Sequence, residues 1–292
     1  MIAVNEVPQR HSDEGAVDIL SAISKLGTVR EAGSVGIYPR VLDQDSDGPD
    51  AGTAEIGDGQ WLNLVVVLGP TGVGKTVRAL DLARKVGAPI IVLDRVQCYA
   101  ELAVGSARDY GAGQDDRIFL DERRVVDGML SAAQAYRRLC HTLEERRAEG
   151  NRVVVLEGGS TSLIAQMAAD STWRRHARVS VRWLSPGAGY RERLSRRVKN
   201  MLSGTPSMVD EVRALWPDPR THAVLAEITG YREVIAAMRT GGTLDFDPAT
   251  MNTLIEDVTA AHVAYSQRQR HQFSSMLPLL GSRPFAPRRT RP

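Results

Sequence analysis

The hydrophobic residues of this chain fall into short, nearly continuous runs separated by longer stretches of mixed spacing. Residues 62–68 read Leu-Asn-Leu-Val-Val-Val-Leu, and a helix-like stretch, 77–86, follows a few residues later. Compact apolar runs of this kind suit strands buried on both faces of a parallel sheet. Further runs at 89–93, 118–120, 152–156 and 179–184 predict four more strands. Residues 132–147 carry Ala135, Leu139 and Leu143 four apart, the spacing of one helix face. Parallel strands need crossover connections, and helices fill those gaps here. Beyond residue 184 the pattern turns helical, over 190–202, 208–215, 220–239 and 249–273. Pro217, Pro219, Gly241 and Gly242 punctuate that part.

The two ends of the chain differ from its middle. Residues 17–29 place Leu20, Ile23 and Leu26 on one face of a possible helix, whereas 43–60 is rich in Asp and Gly and poor in large apolar residues. The predicted organisation is an N-terminal extension, 1–60, expected to be flexible, then an α/β core, 61–184. A helical domain, 185–276, closes the substrate channel, and a flexible basic tail, 277–292, ends the chain. The tail interleaves Arg283, Arg288, Arg289 and Arg291 with prolines and reads as a solvated end.

Composition removes several function classes. A formal charge of +2 over 292 residues implies no broad nucleic-acid or membrane electrostatics. No stretch approaches the ~18 apolar residues of a membrane span. Residues 1–10 have no apolar signal core, so the cytoplasm is the expected location. The two cysteines, Cys98 and Cys140, make neither a disulfide framework nor a zinc site by themselves. Both are expected to be reduced and buried, Cys98 near the site.

The first strand leads into Gly69-Pro70-Thr71-Gly72-Val73-Gly74-Lys75-Thr76. The spacing Gly-x4-Gly-Lys-Thr is that of a phosphate-binding loop. Glycines such as Gly72 and Gly74 let backbone N–H groups turn toward an anion, and the following helix adds its positive dipole end. Lys75 supplies a point charge for phosphate oxygens, and the Thr76 hydroxyl suits Mg²⁺. The chain has only four lysines among its basic residues, which makes the one in this loop more telling. The fold class expected is therefore α/β, a P-loop NTPase-like parallel sheet flanked by helices, with a smaller helical C-terminal domain.

Ligands in such sheets gather at the carboxyl ends of strands. Asp94 ends the second predicted strand and would face the loop. It fits a general base, a partner of a Mg²⁺ ion, or a helix-capping aspartate. Ser106 lies in Gly/Ser turn chemistry that can set it against a ligand. Glu157-Gly158-Gly159-Ser160 follows the fourth strand, where the acid can orient metal-bound water or the glycines can simply make a turn. His262 and Tyr265, three apart, share a helix face, as would a half-buried aromatic edge without chemistry.

Taken together, the loop 69–76, Leu93-Asp94-Arg95-Val96-Gln97-Cys98, Gly105-Ser106, Arg117-Ile118-Phe119-Leu120-Asp121, Leu156-Glu157-Gly158-Gly159-Ser160 and Gly230-Tyr231-Arg232 resemble the bacterial adenylate isopentenyltransferases, the cytokinin-forming enzymes. The likeness runs in order from about residue 63 to 273. It implies transfer of a dimethylallyl group from dimethylallyl diphosphate to N6 of AMP, with release of pyrophosphate and Mg²⁺ as cofactor. It assigns catalysis to Asp94, Thr71 and Lys75. Donor diphosphate binding falls to Gly72, Gly74, Lys75, Thr76, His262 and Tyr265. Acceptor binding falls to Asp94, Ser106 and Thr229, and the metal contact to Thr76. The implied partners are these two small molecules, with no nucleic acid and no membrane.

Three departures stand out. Thr229 replaces the aspartate that hydroxyl-tolerant members carry before Gly-Tyr-Arg. His262 and Tyr265 exchange the usual order of tyrosine and histidine. The stretch 201–206 is shortened, losing basic residues. The competing readings are a tRNA dimethylallyltransferase, a P-loop small-molecule kinase and a nucleotide-binding switch without turnover.

Overall fold

The computed structural model describes residues 62–108, 117–170 and 177–280. The expectations for 1–60 and for the tail beyond residue 280 lie outside the described residues. Five parallel strands form one sheet: β1 (Leu62–Leu68), β2 (Ile90–Leu93), β3 (Arg117–Phe119), β4 (Val153–Gly158) and β5 (Ala177–Trp183). Their spatial order is β3-β2-β4-β1-β5. The strand read last in the left half of the sheet, β4, thus inserts between β1 and β2. All five predicted strands are present within a residue or two of their expected ends. β4 runs further than expected, through Glu157 and Gly158, because it is paired on both sides there: Glu157 with Val67 and Val92, Gly158 with Leu68 and Leu93.

Helix α1 (Lys75–Val86) starts two residues earlier than the apolar pattern indicated, directly at the lysine of the loop. Its apolar face, Ala79 and Ala83, packs on Val67, Ile90 and Val155 of the sheet and on Leu184. After β2 the chain makes two 3₁₀ turns, Val96–Cys98 and Ala100–Leu102, and the one-turn helix α2 (Ala103–Ser106). Helix α3 (Ala132–Ala148) crosses back with Ser131 as its cap, the hydroxyl accepting from Gln134 N at 3.2 Å. Helix α4 (Thr161–Ala169) follows β4. The sequence offered it only as what a turn at 157–160 leads into, without bounds: Leu163, Ile164, Ala165, Met167 and Ala168 are all buried, and only the narrow face of Ser162, Gln166 and Ala169 is left to show the period.

The remaining chain is helical: α5 (Tyr190–Ser203), α6 (Met208–Leu215), α7 (His222–Glu227), α8 (Tyr231–Gly241) and α9 (Pro248–Met276). The helix expected over 220–239 is two helices. They are parted at Ile228-Thr229-Gly230, where Ile228 is extended and Gly230 has φ 98°. The 29-residue α9 packs on α4, α5 and α8 and so joins the helical layer to the sheet. Near its end Phe273 meets Trp183 of β5 edge to face, centroids 5.5 Å apart.

Leu68, Gly158 and Leu93 lie in register at the carboxyl ends of three adjacent strands. Gly158 admits no side chain, since a Cβ would lie 2.3 Å from Leu93 O. Gly158→Ala is therefore expected to spread β4 from β2 and lower stability by about 1–3 kcal/mol. The drop is measurable as a lower urea midpoint, and an unchanged midpoint would refute the crowding.

Candidate active site

Because those three strand ends are level, the residues just beyond them form one row: Gly69 after β1, Gly159 after β4 and Asp94 after β2. The order of the sheet, not of the chain, brings the glycine-rich loop, Glu157 and Asp94 together. Gly72 and Gly74 have φ of 80° and 88°, left-handed values that let the loop curl over the start of α1. α1 has no side-chain cap and no acidic residue in its first turn. Its opening N–H groups thus keep the positive end of the helix uncompensated.

Lys75 curls back over the loop and donates to Pro70 O at 2.8 Å. Thr76 Oγ1 donates to Glu157 Oε1 at 2.9 Å. Glu157 is only 2% exposed, and its Oε2 has no hydrogen-bond partner among the described residues. Burial pushes the Lys75 ammonium below its ordinary value, opposed by the charges of Glu157 and Asp94. Burial likewise pushes Glu157 up, opposed by Lys75 and the Thr76 bond. Lys75 thus feels the charges of two carboxylates, and Glu157 is a buried residue of β4, with Gly159 and Ser160 leading from the strand into the next helix.

Asp94 Oδ1 accepts from Val96 N at 2.9 Å, which fixes the direction of the carboxylate at the strand end. Behind it Cys98 is buried, as expected, and its Sγ donates to Asp94 O at 3.7 Å. Burial pushes that thiol up to about 12, so Cys98 stays protonated beside the site. Cys140 is only partly buried.

Helix α5 closes over the loop with three residues of one face. The Tyr190 hydroxyl donates to Thr71 O at 2.9 Å. Leu194 Cδ1 and Arg197 Cδ approach the position of a Gly72 Cβ at 3.5 and 3.9 Å. Arg197 is half-buried, its Nε has no partner among the described residues, and desolvation lowers its pKa. Arg197 thus brings a basic side chain alongside the loop at Gly72. Sequence reasoning missed it, because Arg191, Arg193, Arg196, Arg197 and Lys199 together read as a solvated face. The available signal was its place three residues after the buried Leu194, on the same helical face.

On α9, His262 and Tyr265 look toward different neighbours. His262 Nε2 lies 3.8 Å from where a Gly230 Cβ would be, beside the Thr229–Gly230 break. Burial, reinforced by Arg197 and opposed by Glu233, lowers its pKa to about 4, so the ring is neutral at pH 7. Tyr265 lies within reach of Thr161 and of the Asp94 and Arg95 charges, and burial raises its pKa. His262 thus stands beside Gly230 and feels the charges of Glu233 and Arg197, whereas Tyr265 feels those of Asp94 and Arg95. Ser106 ends α2, on the segment after Asp94: its hydroxyl accepts from Arg108 N at 3.3 Å, and Arg108 Nη1 returns to Gln97 O at 3.1 Å. A surface cavity lined by Gly87, Pro89, Arg117 and Asn151 lies at the amino ends of β2 and β3. That is the wrong end of the sheet for the residues above.

The fold and this row of residues define a phosphate-loop type of α/β enzyme with a helical layer over the loop. The family model for isopentenyl transferase matches residues 62–282. The chain is 37% identical over 227 residues to the adenylate dimethylallyltransferase of Ralstonia nicotianae, covering 73% of this chain and 94% of that protein. It is 33% identical to the enzyme of the same name from Agrobacterium tumefaciens, covering 73% and 92%. Among solved structures, the tRNA isopentenylpyrophosphate transferase of Bacillus halodurans superposes with a TM-score of 0.58 at 18% identity, covering 72% of this chain and 86% of that one. The chain belongs to the isopentenyl transferase family and is a prenyltransferase. Among the described residues no helix is long and apolar enough to cross a membrane.

Proposed function

We propose that this enzyme transfers a dimethylallyl group from dimethylallyl diphosphate to N6 of AMP. The observation that carries the proposal is the row at the strand ends: a glycine-rich loop with Lys75, and a carboxylate, Asp94, whose charge acts on that lysine. The names of the relatives in Ralstonia and Agrobacterium support the acceptor. The allylic C–O bond to the diphosphate breaks, a C–N bond to the adenine amine forms, and pyrophosphate leaves. The proton released from N6 passes to Asp94. An aryl-type amine is a weak nucleophile because its lone pair is delocalised, and a carboxylate accepting its N–H localises that pair as bonding proceeds. The loop N–H groups, Lys75 and Arg197 bind the leaving diphosphate and offset its growing charge. Thr71, whose carbonyl is fixed by Tyr190, is assigned to the bridging oxygen, and Ser106 to the adenine edge.

The residues fit a hard cation. A buried carboxylate with one unpartnered oxygen stands beside a hydroxyl at the start of α1. Thr76, with Glu157 behind it, would hold Mg²⁺, which supplies charge neutralisation on the leaving diphosphate.

The acceptor and donor are tested by assaying products from each prenyl diphosphate paired with AMP, ADP, ATP and unmodified tRNA. AMP with dimethylallyl diphosphate is expected to give prenylated nucleotide and pyrophosphate, in equal amounts and without ATP consumption. Product on tRNA alone would replace AMP as acceptor. The plain donor is expected to be preferred over the hydroxylated butenyl donor, because Thr229 is uncharged and His262 is neutral near pH 7. Equal or faster turnover of the hydroxylated donor would overturn that preference.

A further inference from the structure

Glu211, on α6 in the helical layer, is half-buried and has no place in the chemistry above. Its carboxylate is nevertheless tied to the acceptor segment. Oε1 accepts from Val104 N at 2.6 Å, and Oε2 accepts from Gly105 N at 3.1 Å and from the Tyr231 hydroxyl at 2.5 Å. Val104 and Gly105 belong to α2, a single turn whose first N–H groups have no acceptor within the helix. A turn this short does not persist alone. Glu211 supplies the missing acceptors and holds the turn against α6. Ser106 is the next residue.

Tyr231 closes the same knot from the other side. A Cβ on Gly105 would fall 2.2 Å from the Tyr231 hydroxyl oxygen and 2.4 Å from the ring. Position 105 is therefore glycine because the tyrosine fills the space of a side chain. The strings Gly105-Ser106 and Gly230-Tyr231-Arg232, far apart in the chain, are one contact in the fold. The residue that joins them belongs to neither. With three donors on two oxygens, Glu211 is spent on protein groups. Burial raises its pKa, and the three bonds oppose that rise.

We propose that Glu211 is a positioning residue for the acceptor: it clamps α2 to the helical layer and so sets where Ser106 stands relative to Asp94. The inference rests on the assignment of Ser106 to the acceptor adenine. The clamp touches neither the loop nor α1, so its loss should separate acceptor from donor.

The experiment uses the full chain and Glu211→Gln, which keeps shape but turns an amide NH₂ toward groups that are themselves donors. KM for AMP is expected to rise roughly tenfold, with KM for dimethylallyl diphosphate within about twofold of the parent value. Hydrogen exchange at the Val104 and Gly105 amides should quicken. Tyr231→Phe, which removes one donor of three, should move the AMP constant in the same direction by less. A folded Glu211→Gln enzyme with an unchanged AMP constant, or with both constants raised alike, overturns the proposal. If Glu211→Gln does not fold, Tyr231→Phe decides by the same split. Absence of any AMP turnover in the parent enzyme would refute the assigned reaction, and amide exchange at 104 and 105 would then still test the clamp.

Discussion

Asp94→Asn is expected to lower kcat by roughly 10²-fold or more while KM for AMP and for the prenyl donor changes little. The substitution keeps the shape of the side chain and the bond that Val96 N makes to Oδ1, so the strand end and its turn stay in place. What it removes is the capacity to take a proton. The acceptor nitrogen cannot form its new bond to carbon and keep both hydrogens without carrying a positive charge. A neutral amide at this point leaves that charge unanswered in the transition state. Single-turnover rates with saturating substrates measure the effect directly. A variant that retains near-normal kcat would strip Asp94 of its role. One that loses AMP binding instead would make Asp94 an orienting group.

Lys75→Ala is expected to reduce kcat/KM for the donor by about 10²–10³-fold, with kcat and donor KM both affected. Lys75 caps the loop through Pro70 O, and the charges of Glu157 and Asp94 act on it. In the proposed reaction its ammonium offsets the charge that gathers on the leaving diphosphate. Its removal also takes away the opposite charge that acts most strongly on the 2%-exposed Glu157 side chain, which is costly in a buried site. A fall in thermal stability should therefore accompany the kinetic loss. AMP affinity, assigned in the proposed reaction to the Asp94 side, should stay within about twofold of the parent value. A variant that binds the donor normally and loses only AMP would reverse the assignment of the two sides of the cleft.

Much of the architecture was legible because its elements differ in local pattern. The strands are dense apolar runs, and the loop is glycine-rich with a lysine in a chain that seldom uses one. Two elements escaped for opposite reasons. Helix α4 is short and buried on most sides, leaving only Ser162, Gln166 and Ala169 to mark its period. The expected helix over 220–239 kept its period across a break that the Thr229-Gly230 pair makes with a positive φ. Among site residues, Lys75, Thr76 and Asp94 stood out through spacing and position. Arg197 and Glu211 did not, since an arginine among arginines and a glutamate in a helix look like ordinary solvated surface.

By itself the sequence determined the kinds of element, their order, the phosphate loop, and the family to which the set of motifs belongs. These are local properties: backbone freedom at glycine, apolar period, and side-chain chemistry at fixed spacing. Only the tertiary structure decided that β4 lies between β1 and β2, and hence that Glu157 touches Thr76 from 81 residues away. It alone decided that Arg197 faces the loop and that Glu211 and Tyr231 grip Gly105. Those pairings depend on which buried faces meet when the layers pack, and the energy of packing is shared between segments that carry no mark of each other in their own residues.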